Sequence, residues 1–221
     1  MRILALEFSS LTRSVAVVAG NPGGGGLTIL AEVADDSAGR MDPLGLVQEA
    51  MRRAQLQARD LDALAVGLGP GSQAGIRNAI ALAQGWQLAL PVPVMGVGSH
   101  EVLACQAIQA GLRGKAGLVF DAQRGEFYLF HGEIHGASEA VWESLRIVPA
   151  ETIQTLSASG VVILGPGCPK WFSGSQDLRP AATVLGRLAL DRPGTASASG
   201  LEPIHLRATQ FVKAPPPRQY S

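Results

Sequence analysis

Glu7 and Asp121 are the two residues of this sequence best placed for chemistry. Each follows a short apolar run, at 3–6 and 116–120. Paired carboxylates at the ends of two strands, facing across a cleft, can hold magnesium and a phosphate. Either can equally cap the turn beside it, because a carboxylate accepts from backbone N–H groups that follow. His131-Gly-Glu-Ile-His135 has the spacing of a metal-binding pair. That spacing works on a helix, where i and i+4 share a face. Here Gly132 and Gly136 oppose a helix, and on a strand the two rings stand about 13 Å apart. No metal and no cofactor is expected. His100 and His205 are isolated, Cys105 lies in an apolar helical stretch, and no Gly-x-Ser-x-Gly nucleophile signature is present.

The elements that must position these groups centre on Val66-Gly-Leu-Gly-Pro-Gly-Ser72 and the helix after it. A short apolar run at 64–66 reads as a buried strand. Gly67, Gly69 and Gly71 give the elbow its backbone freedom, and Ser72 is a good N-cap. Ile76, Ala79, Ile80 and Ala83 then recur at helical spacing, and Pro91 ends the run. A helix N-terminus after glycines can hold an anion, with Gly69 and Gly71 as candidate nucleotide-site residues beside Glu7 and Asp121. The P-loop and Rossmann spacings both fail here, so a tight structural turn is the competing reading. The helix is apolar on two sides. One can face its own sheet, and the other a neighbouring helix or a partner protein.

The elements recur in order. Strands are expected at 3–8, 14–19 and 28–34, with Asn21-Pro22 and Gly23 to Gly26 as a loop. A helix starts at Asp42-Pro43 with Val47, Ala50, Met51, Ala54 and Ala58 as its stripe and Leu44 facing elsewhere. The elbow helix, a strand at 92–97 and a helix at 100–110 capped by Ser99 complete a first unit. Strands at 116–120, 126–131 and 140–147, a helix at 151–157 and a strand at 161–164 running into Gly165-Pro166-Gly167 repeat that order. The fold class is α/β, built on a duplicated unit. The expected division is 1–111, 112–206 and an extended Pro-rich tail at 207–221.

Eighteen basic residues cancel eighteen acidic ones over 221 positions, so no global field holds nucleic acid or an anionic membrane. Two cysteines suggest neither a disulfide framework nor a metal site. No apolar run reaches the roughly 18 residues of a membrane span, and nothing after Met1 reads as a signal peptide. A cytoplasmic protein is expected.

Asp60-Leu-Asp-Ala-Leu-Ala-Val-Gly-Leu-Gly-Pro-Gly-Ser72, Gly75-Ile-Arg77 and Ala83-Gln-Gly85 together resemble the signature of the TsaB (YeaZ) family. Ile3-Leu-Ala-Leu6 with Ser9, Ser14-Val-Ala-Val17, Phe120-Asp-Ala-Gln-Arg-Gly-Glu-Phe-Tyr128 and Glu202-Pro-Ile-His-Leu-Arg207 extend the likeness over nearly the whole chain. The resemblance implies an actin-like ATPase (ASKHA) fold of two RNase H-like halves. It implies a non-catalytic scaffold partnering TsaD, the transferase that forms threonylcarbamoyladenosine next to the anticodon of tRNA, with the small ATPase TsaE in the same pathway. The tRNA would be engaged only indirectly. It also implies a dimer face on the first two helices, toward TsaD or a second copy. That points to Leu44, Val47 and Met51 on the first helix and Gln73, Arg77, Ile80 and Gln84 on the second. The chain departs from the family at Glu7, usually Asp, at Gln73-Ala74, usually Phe-Thr, and at Gly39, near where a His often stands. Two rival readings are an ATP-dependent kinase or ATPase of the same fold and a diverged homodimer outside the tRNA pathway.

Overall fold

The structure, a computed structural model, describes residues 1–23, 26–35, 42–136, 139–192 and 198–207. Gly24, Gly25, Gly39 and the stretch 208–221 lie outside the described residues, and so do the expectations placed on them.

Nearly continuous apolar sequence makes β1 (Arg2–Glu7) and β2 (Arg13–Gly20) central strands, with β3 (Leu27–Asp35) beside β2 at the edge. α1 (Pro43–Ala54) begins where Asp42 Oδ1 accepts from Leu44 N at 2.7 Å and Gly45 N at 3.0 Å. It ends when Gln55 turns left-handed and its N–H returns to Arg52 and Met51. Ala58 therefore falls in a 3-10 turn and not on the helix stripe. β4 (Ala63–Gly67), α2 (Gln73–Ala89), β5 (Val94–Val97) and α3 (Ser99–Gln109) follow. The first sheet has the order β3-β2-β1-β4-β5, with β4 and β5 parallel to the β1 direction.

β6 (Gly114–Asp121), β7 (Glu126–Ile134), β8 (Ala140–Trp142), β9 (Arg146–Pro149), α4 (Ala150–Ala158), β10 (Val162–Gly165) and β11 (Gln176–Asp177) build the second sheet. Its order, β11-β10-β6-β7-β8, repeats the first, with β6 in the place of β1 and β10 in that of β4. The single strand expected at 140–147 is two. β8 pairs with the far end of β7 and β9 with its near end, and Glu143 to Leu145 step between them. α5 (Ala182–Leu190) closes the described elements apart from a last 3-10 turn, Ala198–Gly200.

α1 and α2 cover one face of the first sheet, where Leu46, Val47, Ala50, Ile76 and Ala79 pack on Leu4, Leu6, Leu64 and Val66. Each such aliphatic side chain contributes about 1.5–3 kcal/mol by leaving water. The opposite face is covered by α5, from the other half of the sequence, through Ala182, Leu185 and Ala189. Helix α3 makes the reverse move, setting Leu103 and Ala107 against Leu118 and Phe120 of the second sheet. The two halves thus exchange a helix. Ala182 N, donating to Ser14 Oγ at 3.0 Å, and Ala181 N, donating to Gln106 Oε1 at 3.0 Å, pin the exchanged α5.

Candidate functional site

The elbow between β4 and α2 is joined to the residues leaving β1. Ser72 N donates to Ser9 O at 2.7 Å, and Ser72 Oγ accepts from Gly75 N at 3.3 Å as an N-cap. Two positions admit only glycine. A Cβ on Gly71, at φ +147°, would stand 2.1 Å from Ser9 O, and one on Gly75 would stand 2.0 Å from Phe8 O.

Glu7 lies beneath this elbow with 0% of its surface exposed. Its Oε1 accepts from Ser9 N at 3.0 Å, and Ser99 Oγ reaches Oε1 at 3.1 Å and Oε2 at 2.9 Å. The same Ser99 Oγ accepts from Gly69 N at 3.1 Å, while Ser99 N donates to Gly69 O at 2.7 Å. Ser99 is therefore not the cap expected of it; Gly98 holds that place, and Glu101 Oε1 accepts from Gly98 N at 3.1 Å. Gly67 makes room for the carboxyl, since a Cβ there would fall 2.1 Å from Glu7 Oε2.

Burial pushes the Glu7 carboxyl above its ordinary 4.5, against the pull of hydrogen bonds from Ser9 and Ser99. A raised folded-state value means that the native chain holds this proton more tightly than the unfolded chain. Its contribution is whole below 4.5 and is lost as pH rises through the raised value. Urea midpoints of the wild type should therefore decline over that window relative to Glu7→Gln, which cannot titrate. Parallel pH profiles for the two proteins would contradict this.

Asp121 serves its own turn. Oδ1 accepts from Gln123 N at 2.7 Å and Oδ2 from Gln123 Nε2 at 2.9 Å, with Gln123 and Arg124 both left-handed. It does line a cleft of about 610 Å³ between the halves, as do Gly71 and Gln73. Glu7 and Gly69 do not reach that cleft. The paired carboxylates anticipated for magnesium and nucleotide are thus not brought together, and these residues do not fit a metal–nucleotide site of that design. The walls also carry Leu11, Lys170, Trp171 and Arg179, which stand in no motif that the sequence singles out, and Tyr128 and His205, which lie in the stretches 120–128 and 202–207. Among the described residues no three His, Cys, Asp or Glu side chains gather where they could share an ion. His131 Nδ1 is 2.9 Å from Glu143 Oε1 on the neighbouring segment. In the second half's own elbow, burial and then Asp177 push the Cys168 thiol up to about 12, so it stays protonated.

The presumed partner face divides in two. Val47, Met51 and Ile80, which the family resemblance places on the partner face, are instead core residues packed against the first sheet. Their helical spacing marks this buried stripe, and only the family resemblance sets them on the partner face. Leu44, 49% exposed, stands at the start of α1. Gln73 is half-buried at the cleft, Arg77 is exposed, and Gln84 is exposed while its Nε2 donates to Ala198 O at 3.2 Å. The outer stripe of α2 is completed by Ala74, Ala81, Gly85 and Leu88, the last 91% exposed. Their exposure follows from burial of Ile76, Ala79, Ile80 and Ala83 on the other side.

Residues 40–161, more than half of the 221-residue chain, match the family described as TsaD: tRNA N6-adenosine threonylcarbamoyltransferase. The tRNA threonylcarbamoyladenosine biosynthesis protein TsaB of Bacillus subtilis is 29% identical over 229 residues, covering 95% of this chain and 96% of its own. The protein of the same name from Escherichia coli is 29% identical over 187 residues, 74% of this chain and 78% of its own. The chain belongs to the TsaD family, in its TsaB (YeaZ) branch. The solved YeaZ from Pseudomonas aeruginosa superposes with a TM-score of 0.74 at 24% identity, covering 93% of this chain and 99% of that one. That likeness fixes the fold, the actin-like ATPase architecture of two RNase H-like halves whose strand order repeats here. No helix of this TsaB-branch chain is long and apolar enough to cross a membrane, among the described residues.

Proposed function

We propose that this chain is a non-catalytic scaffold subunit, cytoplasmic, that partners a TsaD-type transferase in forming threonylcarbamoyladenosine in tRNA. The match to TsaB relatives over most of the chain supports the pathway. The observation that carries the non-catalytic reading is the sealing of Glu7 away from the cleft between the halves. The partner sits on the outer stripe of α2, around Arg77, Ala81 and Leu88, with Leu44 at its edge. An exposed leucine in line with the small residues Ala81 and Gly85, with an arginine about 16 Å further back along the helix, suits a helix–helix contact in which the arginine is an anchor. The same face serves a second copy of the chain when the transferase is absent. A TsaE-type ATPase joins the assembled pair, and tRNA is engaged through the transferase.

Co-expression with the TsaD-type protein of the same organism, followed by mass analysis of the purified species, tests this. A stable complex is expected, with Kd raised about tenfold or more by Arg77→Glu and thermal stability unchanged. A wild type that elutes apart from the transferase would sink the reading.

A further inference from the structure

We infer that Glu7 is a positioning residue for α2: its sealed carboxyl, bridged through Ser99 to Gly69 and through Ser9 to Ser72, sets how the helix leaves the first sheet. The inference rests on the proposed function only in taking the outer face of α2 as the partner's.

The path is short and direct. Glu7 Oε1 accepts from Ser9 N at 3.0 Å, and the carbonyl of that same Ser9 accepts from Ser72 N at 2.7 Å, one residue before α2. On the other side Ser99 Oγ spans from Glu7 to Gly69 N, 3.1 Å away, in the middle of the elbow. Two of the elbow's anchors thus meet at one carboxyl group, while Leu68 is held separately, its N donating to Val97 O at 2.8 Å and its O accepting from Ile204 N at 2.8 Å. Neither Glu7 nor Ser99 is exposed at all, so water cannot take the place of a lost bond.

Side-chain length is the critical variable. The space left by Gly67 is filled by the Glu7 carboxyl to within 2.1 Å of where a Cβ would be. An aspartate, one methylene shorter, withdraws from Ser99 or from Ser9 and leaves a buried donor unpaired. A glutamine keeps the length and still offers an oxygen to both donors. The body of α2 has its own anchorage through Ile76, Ala79 and Ala83. Loss of the Glu7 bridges therefore loosens the elbow and tilts the helix start, and it leaves the helix folded.

Hydrogen exchange of the full chain, read on peptides spanning the elbow at 67–75 and on peptides from β2 and β10, decides the matter. Glu7→Asp should speed exchange in the elbow about tenfold with the two strands unchanged, and Glu7→Gln should restore wild-type protection. Unchanged elbow protection in Glu7→Asp would overturn the inference. So would exchange accelerated equally everywhere, because Glu7 would then hold the whole core and not the elbow. Affinity for the TsaD-type protein should follow the same order, weakened in Glu7→Asp and recovered in Glu7→Gln. A wild type that binds no such partner removes the proposed function, while the exchange pattern still decides the role of Glu7.

Discussion

Replacing Gly75 by alanine should destabilise the protein by about 3 kcal/mol, near the upper end for overpacking a core. The added methyl would lie 2.0 Å from the carbonyl oxygen of Phe8 and 3.4 Å from its Cβ. The clash is with backbone, which cannot rotate aside, so α2 must lift from β1 along its first turn. For a chain of this size the thermal midpoint should drop by about 10 °C. Gly85 on the same helix is the internal control, because a Cβ there meets nothing within 4 Å. Gly85→Ala should be neutral or stabilising by up to about 1 kcal/mol, the ordinary helical preference for alanine. Denaturation of the two variants side by side checks both signs; equal stabilities would show that the close approach of α2 to Phe8 is not tight.

The second large effect is expected at Phe8 itself. Its ring is fully buried at the exit of β1, among the side chains that α1 and α2 press against the first sheet. Phe8→Ala removes that ring and leaves a cavity under the elbow, at a cost of about 3–5 kcal/mol. The ring is not the atom that Gly75 crowds, so Phe8→Ala should fail to rescue Gly75→Ala. A double variant more stable than Gly75→Ala alone would show that the helix had been held off by the ring and not by the carbonyl.

Much of this arrangement is legible in the sequence because local chemistry and burial agree there. Asp42-Pro43 starts α1 and Ser72 caps α2 as residue type requires. The duplicated strand order also follows from two recurrences of the same apolar runs. Helix α5 is absent from the sequence reading. It is short, Ala181 offers no side-chain cap, and Gly186 interrupts it. Gly186 is there because a Cβ would meet Val18 Cγ2 at 2.7 Å, a reason that exists only once the helix lies on β2. Val47, Met51 and Ile80 illustrate a different limit. An apolar stripe tells that a face is covered and not by what, and here the cover is the chain's own sheet. Ser99 looks like a cap from its place before a helix; that it turns inward to Glu7, ninety-two positions away in sequence, depends on the parallel placement of β5 beside β4.

The exchange of α3 and α5 has a consequence for synthesis on the ribosome. The first sheet can pair its strands once β5 has emerged, yet the face formed by Ile3, Ala5, Ala16 and Val18 has no cover until Ala182–Leu190 has been made. Most of the polypeptide must leave the exit tunnel before the earliest strands are shielded from water. A nascent chain stalled just after β11 would therefore be a ready client for a hydrophobic-binding chaperone, and either half expressed alone would leave one face of its sheet without the helix that covers it.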